Sequence, residues 1–333
     1  MMNNTQLKYK STMTKLGAIL LIFVGFFDIF FAVYFALPIY LLPEPVATIV
    51  DSIVYDIAYL SAFMVPVAFV PLFFKGDERQ PMRLEPKAPK NTFALVFIGV
   101  GFTYAFSIIN SIAVTSIFGD NTVEELFTYP QTFMSDTDVI LQFITIAIVP
   151  AFCEEFLFRG VIASKLMPYG KSTAVVVSAI CFGLMHRNFY QFLYTTVAGL
   201  ILGAVYVATD SIWPSTIIHM INNALSVLQT VMYERFNEDY AYLLWIVIEA
   251  AVVILGVVAF ACIIRCRKTE NAEKTSIFGK PLRATANDMG FTANANLEAK
   301  DAVKAFLVPT MLIFVIYQIV SAILSFYAST VTL

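Results

Sequence analysis

The stretch Ile144-Thr145-Ile146-Ala147-Ile148-Val149-Pro150-Ala151-Phe152-Cys153-Glu154-Glu155-Phe156-Leu157-Phe158-Arg159 sets three charges inside an otherwise apolar run of helix length. Ionisable groups at membrane depth cost roughly 2.5–3.5 kcal/mol each on insertion scales, so they call for a function or a tight partner. The chain holds only two histidines, and both lie in apolar stretches as well. His186 ends Phe182-Gly183-Leu184-Met185-His186, and His219 opens His219-Met220-Ile221-Asn222-Asn223. A chain that keeps its only imidazoles in such segments reads as one whose chemistry sits within a bilayer.

Composition agrees. Of the 333 residues, 59% are hydrophobic, above the soluble average of about 45–50%. Apolar runs of helix length recur at about 16–42, 49–74, 92–118, 139–166, 172–188, 189–208, 211–232, 241–264 and 305–327. The expected fold is all-α, a polytopic transmembrane helical bundle of about eight to nine spans. Its organisation reads as a bundle over residues 1–264 with a core at 139–232, a polar cytoplasmic loop at 265–304, and a C-terminal transmembrane helix at 305–333. The first apolar run, Gly17 to Leu42, is too long for a signal-peptide core and reads as a retained helix.

With the amino terminus placed in the cytoplasm, eighteen of the twenty-one Lys and Arg residues fall in inner segments. Only Arg187 and Arg235 fall outside, which supports that orientation in a plasma membrane. The basic residues show no aromatic interleaving, so nucleic acid is not an expected partner. The four cysteines, Cys153, Cys181, Cys262 and Cys266, form no CxxC pair and suggest neither a disulfide framework nor structural zinc.

Helix arithmetic brings the polar groups to similar depth. Measured from the inner ends of their spans, Glu154 lies about 18 Å in, His186 about 21 Å, His219 about 12 Å and Asn223 about 18 Å. Glu155 and Arg159 are four apart with the acid first, the better order for a helical ion pair. They read as a structural ion pair, which leaves Glu154, about 100° round the helix, to face another cavity. His219 and Asn223 share a helix face, as do Phe182 and His186, with Phe182 read as packing.

The ordered set Glu154-Glu155…Arg159, Phe182…His186 and His219…Asn223 resembles the CAAX-protease and bacteriocin-processing (Abi) family of intramembrane glutamic endopeptidases. The likeness covers roughly residues 139–232. It implies a peptide or membrane-anchored protein substrate, with no cofactor and no metal. Glu154 and His186 would activate a water, while His219 and Asn223 would stabilise the oxyanion. The high Phe, Ile and Asn content and the short loops look more like a bacterial chain.

Other readings stay open at this point. Glu154, His186 and His219 are also a His₂Glu set of the kind found in catalytic zinc sites, although no HExxH helix is present. A non-proteolytic bacteriocin-immunity or scaffold protein would keep the cluster as structure. Asp28 and Glu249 are further intramembrane acids that could mark an ion path, with helix pairing as the simpler account. Gly199-x-x-x-Gly203 would let a neighbouring helix pack closely. Glu124-Glu125, with Tyr129 where an Arg would be needed, reads as solvated surface.

Overall fold

Inside lipid every backbone N–H and C=O needs an internal partner, and a helix supplies one for each residue. The computed structural model describes residues 4–76, 80–89, 91–118, 135–278 and 303–331, and among these the chain forms nine helices and no strand. They are α1 (Asn4–Ala36), α2 (Val46–Phe73), α3 (Thr92–Phe118), α4 (Asp136–Tyr169), α5 (Lys171–Met185), α6 (Phe189–Thr209), α7 (Ile212–Arg235), α8 (Glu238–Phe278) and α9 (Pro309–Val331).

Seven of the nine are long and apolar enough to cross a membrane, so the protein is an integral membrane protein. The two that fall short are α5, which has 15 residues, and α7, which has the length but carries Ser215, Thr216, His219, Asn222 and Asn223. These are the helices that bear the histidines.

Local chemistry sets the boundaries. Ser135 and Asp138 form a reciprocal capping box at the start of α4. Between α5 and α6 the chain turns in three residues, His186 to Asn188: Arg187 adopts φ 51° and the Asn188 side chain accepts from the N–H groups of Tyr190 and Gln191. Between α6 and α7 it turns at Asp210 (φ 53°) and Ser211, whose hydroxyl accepts from the Trp213 N–H. Helix α8 runs on to Phe278, past Arg265 where the sequence suggested a loop. The segment 265–278 has no Gly or Pro and is rich in helix formers, and the first breakers are Gly279 and Pro281. Glu124, Glu125 and Tyr129, and the polar segment beyond Phe278 as far as Ala302, lie outside the described residues.

Two cores divide the bundle. The larger joins α1, α2, α4 and α5, with Met311 and Phe314 of α9, Tyr206 and Val207 of α6 and Ile212 of α7. The smaller joins α3, α6, α7 and α8 around Tyr104, Leu202, Ile218 and Trp245. Helices α5 and α6 close on each other across small residues. A methyl on Gly199 would sit 3.0 Å from the Ala179 Cα and 3.2 Å from the Phe182 ring. Gly199→Leu therefore forces Phe182 from its place, with an expected stability loss of about 1–3 kcal/mol, read as a lower melting temperature in detergent.

At one end of the bundle, residues 80–89 lie as a strap over α4, α6 and α7. Lys165 donates to the Gln80 carbonyl (2.7 Å), Trp213 Nε1 to that of Leu84 (2.6 Å) and the Ser211 hydroxyl to that of Glu85 (2.8 Å). Lys87 bonds Asp210 (2.8 Å), and Arg83 pairs with the same carboxylate. The Lys87 hydrogen bond, foremost, and the Arg83 charge hold the Asp210 carboxyl below its ordinary range. The stability from this link is present at neutral pH and is lost in acid, as pH falls through the depressed value.

Candidate active site

Helix α4 supplies the acids. Its helical winding widens into π-type turns at Phe143–Ile148 and Phe156–Ala163, so Val149–Glu155 is a short α-helical piece between two wide ones. Such π segments often occur at functional sites. The second begins directly after Glu155 and contains Arg159.

Glu155 and Arg159 are both fully buried, with Arg159 Nη1 2.6 Å from Glu155 Oε1. The other terminal nitrogen of Arg159 donates to the Gly199 carbonyl at 3.0 Å, and its guanidinium lies 4.8 Å from the Phe182 ring centre. A carboxylate that receives Arg159 can only accept, so the His219 Nδ1, 3.3 Å from the same Glu155 oxygen, carries a proton and donates it. The opposite ring nitrogen, Nε2, faces Glu154 Oε2 at 3.7 Å. The other oxygen of Glu154 accepts from the Tyr59 hydroxyl of α2. A polar chain thus runs Arg159, Glu155, His219, Glu154, Tyr59 across three helices.

Glu154 is 5% exposed and His219 6%, and Glu154 Oε2 has no protein hydrogen-bond partner among the described residues. One carboxylate oxygen is held by Tyr59, and the second is buried with no hydrogen-bond partner among the described residues.

His186 caps the C-terminal end of α5. Its Nδ1 lies 2.9 Å from the Phe182 carbonyl, and because a carbonyl only accepts, Nδ1 carries a proton, which in the neutral ring leaves the lone pair on Nε2. No hydrogen bond joins His186 to Glu154 among the described residues. Phe182 lies between the imidazoles instead, its ring centre 5.0 Å from that of His186 and 5.7 Å from that of His219. With Phe158 at 5.2 Å and Arg159 over its face, Phe182 fixes the spacing of both histidines.

Asn223 contacts the backbone of α4. Its Nδ2 donates to the Ile146 carbonyl at 3.1 Å. Pro150, four residues after Ile146, has no N–H of its own to offer that carbonyl. One Asn223 N–H is therefore committed to α4. Asn222 turns the other way, donating to the Tyr194 hydroxyl at 2.7 Å.

The acids, Arg159 and His219 are in direct polar contact, His186 is one ring away, and Asn223 ties α7 to the helix of the acids. Tyr59 escaped the sequence reading because no motif contains it. The available signal was polar spacing within an apolar span, where Tyr55, Asp56 and Tyr59 share one short stretch of α2. Cys153, next to Glu154, is buried. Among the described residues no group of three or more His, Cys, Asp and Glu side chains is arranged to hold a metal ion.

Residues 136–225 match the family model described as type II CAAX prenyl endopeptidase Rce1-like. This segment spans α4 to α7 up to Leu225 and contains both acids, both histidines, Arg159 and Asn223. The match agrees with the resemblance carried by the three motifs and supports a membrane endopeptidase of the CAAX-protease type. No curated protein and no solved structure matches the chain.

Proposed function

We propose that the protein is an intramembrane glutamic endopeptidase that cuts a peptide bond of a membrane-associated, lipidated or peptide substrate. The observation that carries this reading is the buried Glu154, with one oxygen held by Tyr59 and the other unpartnered among the described residues beside His219 Nε2 at 3.7 Å. A carboxylate fixed through one oxygen, with the acceptor capacity of the other unused, is suited to take a proton from a substrate water.

In this mechanism Glu154 Oε2 accepts a water proton while the water oxygen bonds to the scissile carbonyl carbon. The carbonyl electron pair moves onto oxygen, giving a tetrahedral oxyanion. His219 donates to it from Nε2. With Nδ1 also donating to Glu155, the ring acts as the imidazolium, its charge balanced by the Glu155 carboxylate on one side and by the oxyanion on the other, Glu154 now being the neutral acid. The second Asn223 N–H is a further donor, and donors aimed at a developing oxyanion commonly contribute more to acyl transfer than any other single effect. Collapse breaks the C–N bond, and the proton held by Glu154 passes to the leaving amine. His186, with Nε2 free, assists by accepting from the water or relaying the proton. Glu155 and Arg159 take no proton; they orient His219.

Tyr59→Phe leaves one Glu154 oxygen without its donor, a hydrogen bond to charge worth about 1.5–3 kcal/mol. The expected result is a lower kcat with KM little changed, because Tyr59 touches the acid and not the peptide. A peptide-cleavage assay on purified protein tests the whole reading, with Glu154→Ala and His186→Ala beside wild type, each with and without chelator. Activity lost in both variants and indifferent to chelator supports it. Chelator loss reversed by zinc would favour a metalloprotease, and a full biological effect in Glu154→Gln would favour a scaffold.

A further inference from the structure

The residue after His186 sits in a second polar cluster that the reaction does not use. Arg187 adopts a left-handed backbone (φ 51°), unusual for a side chain of its size. Its Nη1 pairs with Asp28 Oδ1 of α1 at 2.6 Å, and its Nε donates to Gln318 Oε1 of α9 at 2.8 Å. Tyr317 of α9 donates to the other Asp28 oxygen, and the guanidinium lies 5.3 Å from the Phe27 ring centre and 5.2 Å from that of Tyr317. Gln318 is 1% exposed. Helix α9 is itself seated on α1: Thr310 donates to the Thr14 carbonyl at 2.9 Å, and a methyl on Gly17 would meet Thr310 Oγ1 at 2.5 Å.

We propose that Arg187 is a positioning residue for His186, held by a clamp of Asp28, Tyr317 and Gln318 that lies wholly outside the matched segment. The physical argument is leverage. His186 is the last residue before the turn, with its N–H donating to the Gly183 carbonyl at 3.3 Å and that of Arg187 to Leu184 at 3.2 Å. Two directional bonds and two ring faces fix the Arg187 side chain on α1 and α9. Its unusual backbone, and with it the end of α5 from which the imidazole projects, is fixed by the same contacts. The C-terminal helix thereby serves the site without touching it. This role rests on the proposed peptidase only for its consequence in catalysis; the geometry it predicts does not.

Because the chain has two histidines, isotope-labelled histidine in the full-length protein gives two imidazole ring signals, assigned by His186→Ala and His219→Ala. In Arg187→Gln the His186 signal is expected to shift or broaden while that of His219 stays. Arg187→Lys, which keeps the cation but not the fork, should fall between wild type and Arg187→Gln. Gln318→Leu removes one bond without stranding a charge, and should move the same signal less. Cleavage by Arg187→Gln should show kcat lowered on the order of 10- to 100-fold with KM little changed. An unmoved His186 signal in folded Arg187→Gln and Gln318→Leu overturns the proposal, as does an equal shift of both histidines with loss of cooperative melting. A selective shift in a protein that cleaves nothing upholds the clamp and removes the peptidase.

Discussion

Glu154→Gln is expected to lower peptide cleavage by roughly 100- to 10,000-fold, the span usual for a lost general base, with little change in melting temperature. The amide has the size of the acid and still offers the Tyr59 hydroxyl an oxygen acceptor, so the contact to α2 survives. What it lacks is the capacity to accept a proton at the oxygen that faces His219 Nε2. Substrate binding should be little changed, since the amide keeps the size of the acid, so the loss falls on kcat. Cleavage of wild type and variant under single-turnover conditions, beside thermal melts of both, measures the two halves. A variant that cleaves at the wild-type rate removes Glu154 from the chemistry. One that has lost both activity and cooperative melting reports a folding defect instead.

The largest stability effect is expected from Arg159→Met. The guanidinium and the Glu155 carboxylate are both wholly buried at 2.6 Å, and removing the cation strands the anion away from water. Loss of one partner of such a pair costs about 3–5 kcal/mol. The Gly199 carbonyl also loses its donor and the Phe182 face its cation, so α6 and α5 loosen with α4. Adding Glu155→Gln to Arg159→Met should recover part of the stability, because the stranded charge is gone. Melting temperatures of the two single variants and the double variant form the cycle. Strict additivity would show that the pair is not coupled. Activity should not return in the double variant, since His219 would have lost its charged Nδ1 partner.

The bundle itself was legible residue by residue. A run such as Phe93 to Phe118 has one physical outcome in lipid, and α3 occupies Thr92–Phe118. The tight turns have a local cause, because Asn188 and Ser211 carry the side-chain acceptors that start a helix. Helix α8 overran its expected end because the change from apolar to polar at Arg265 marks the limit of lipid and not the limit of helix. The i,i+4 spacing of Glu155 and Arg159 leads to a direct contact, since both ends of that relation lie on one helix. Asp28, weighed as an ion-path acid or a helix-pairing one, pairs with Arg187.

Spacing on a single helix fixes faces, and so the primary structure alone determined the all-helical membrane bundle and the segment that bears the acids. It could not determine which faces meet. That Tyr59 holds Glu154, that Phe182 stands between the two imidazoles, and that Asn223 serves the carbonyl ahead of Pro150 were decided only when the helices packed. The rotation of each helix about its own axis is set by side chains from its neighbours, and no periodicity within one segment encodes it.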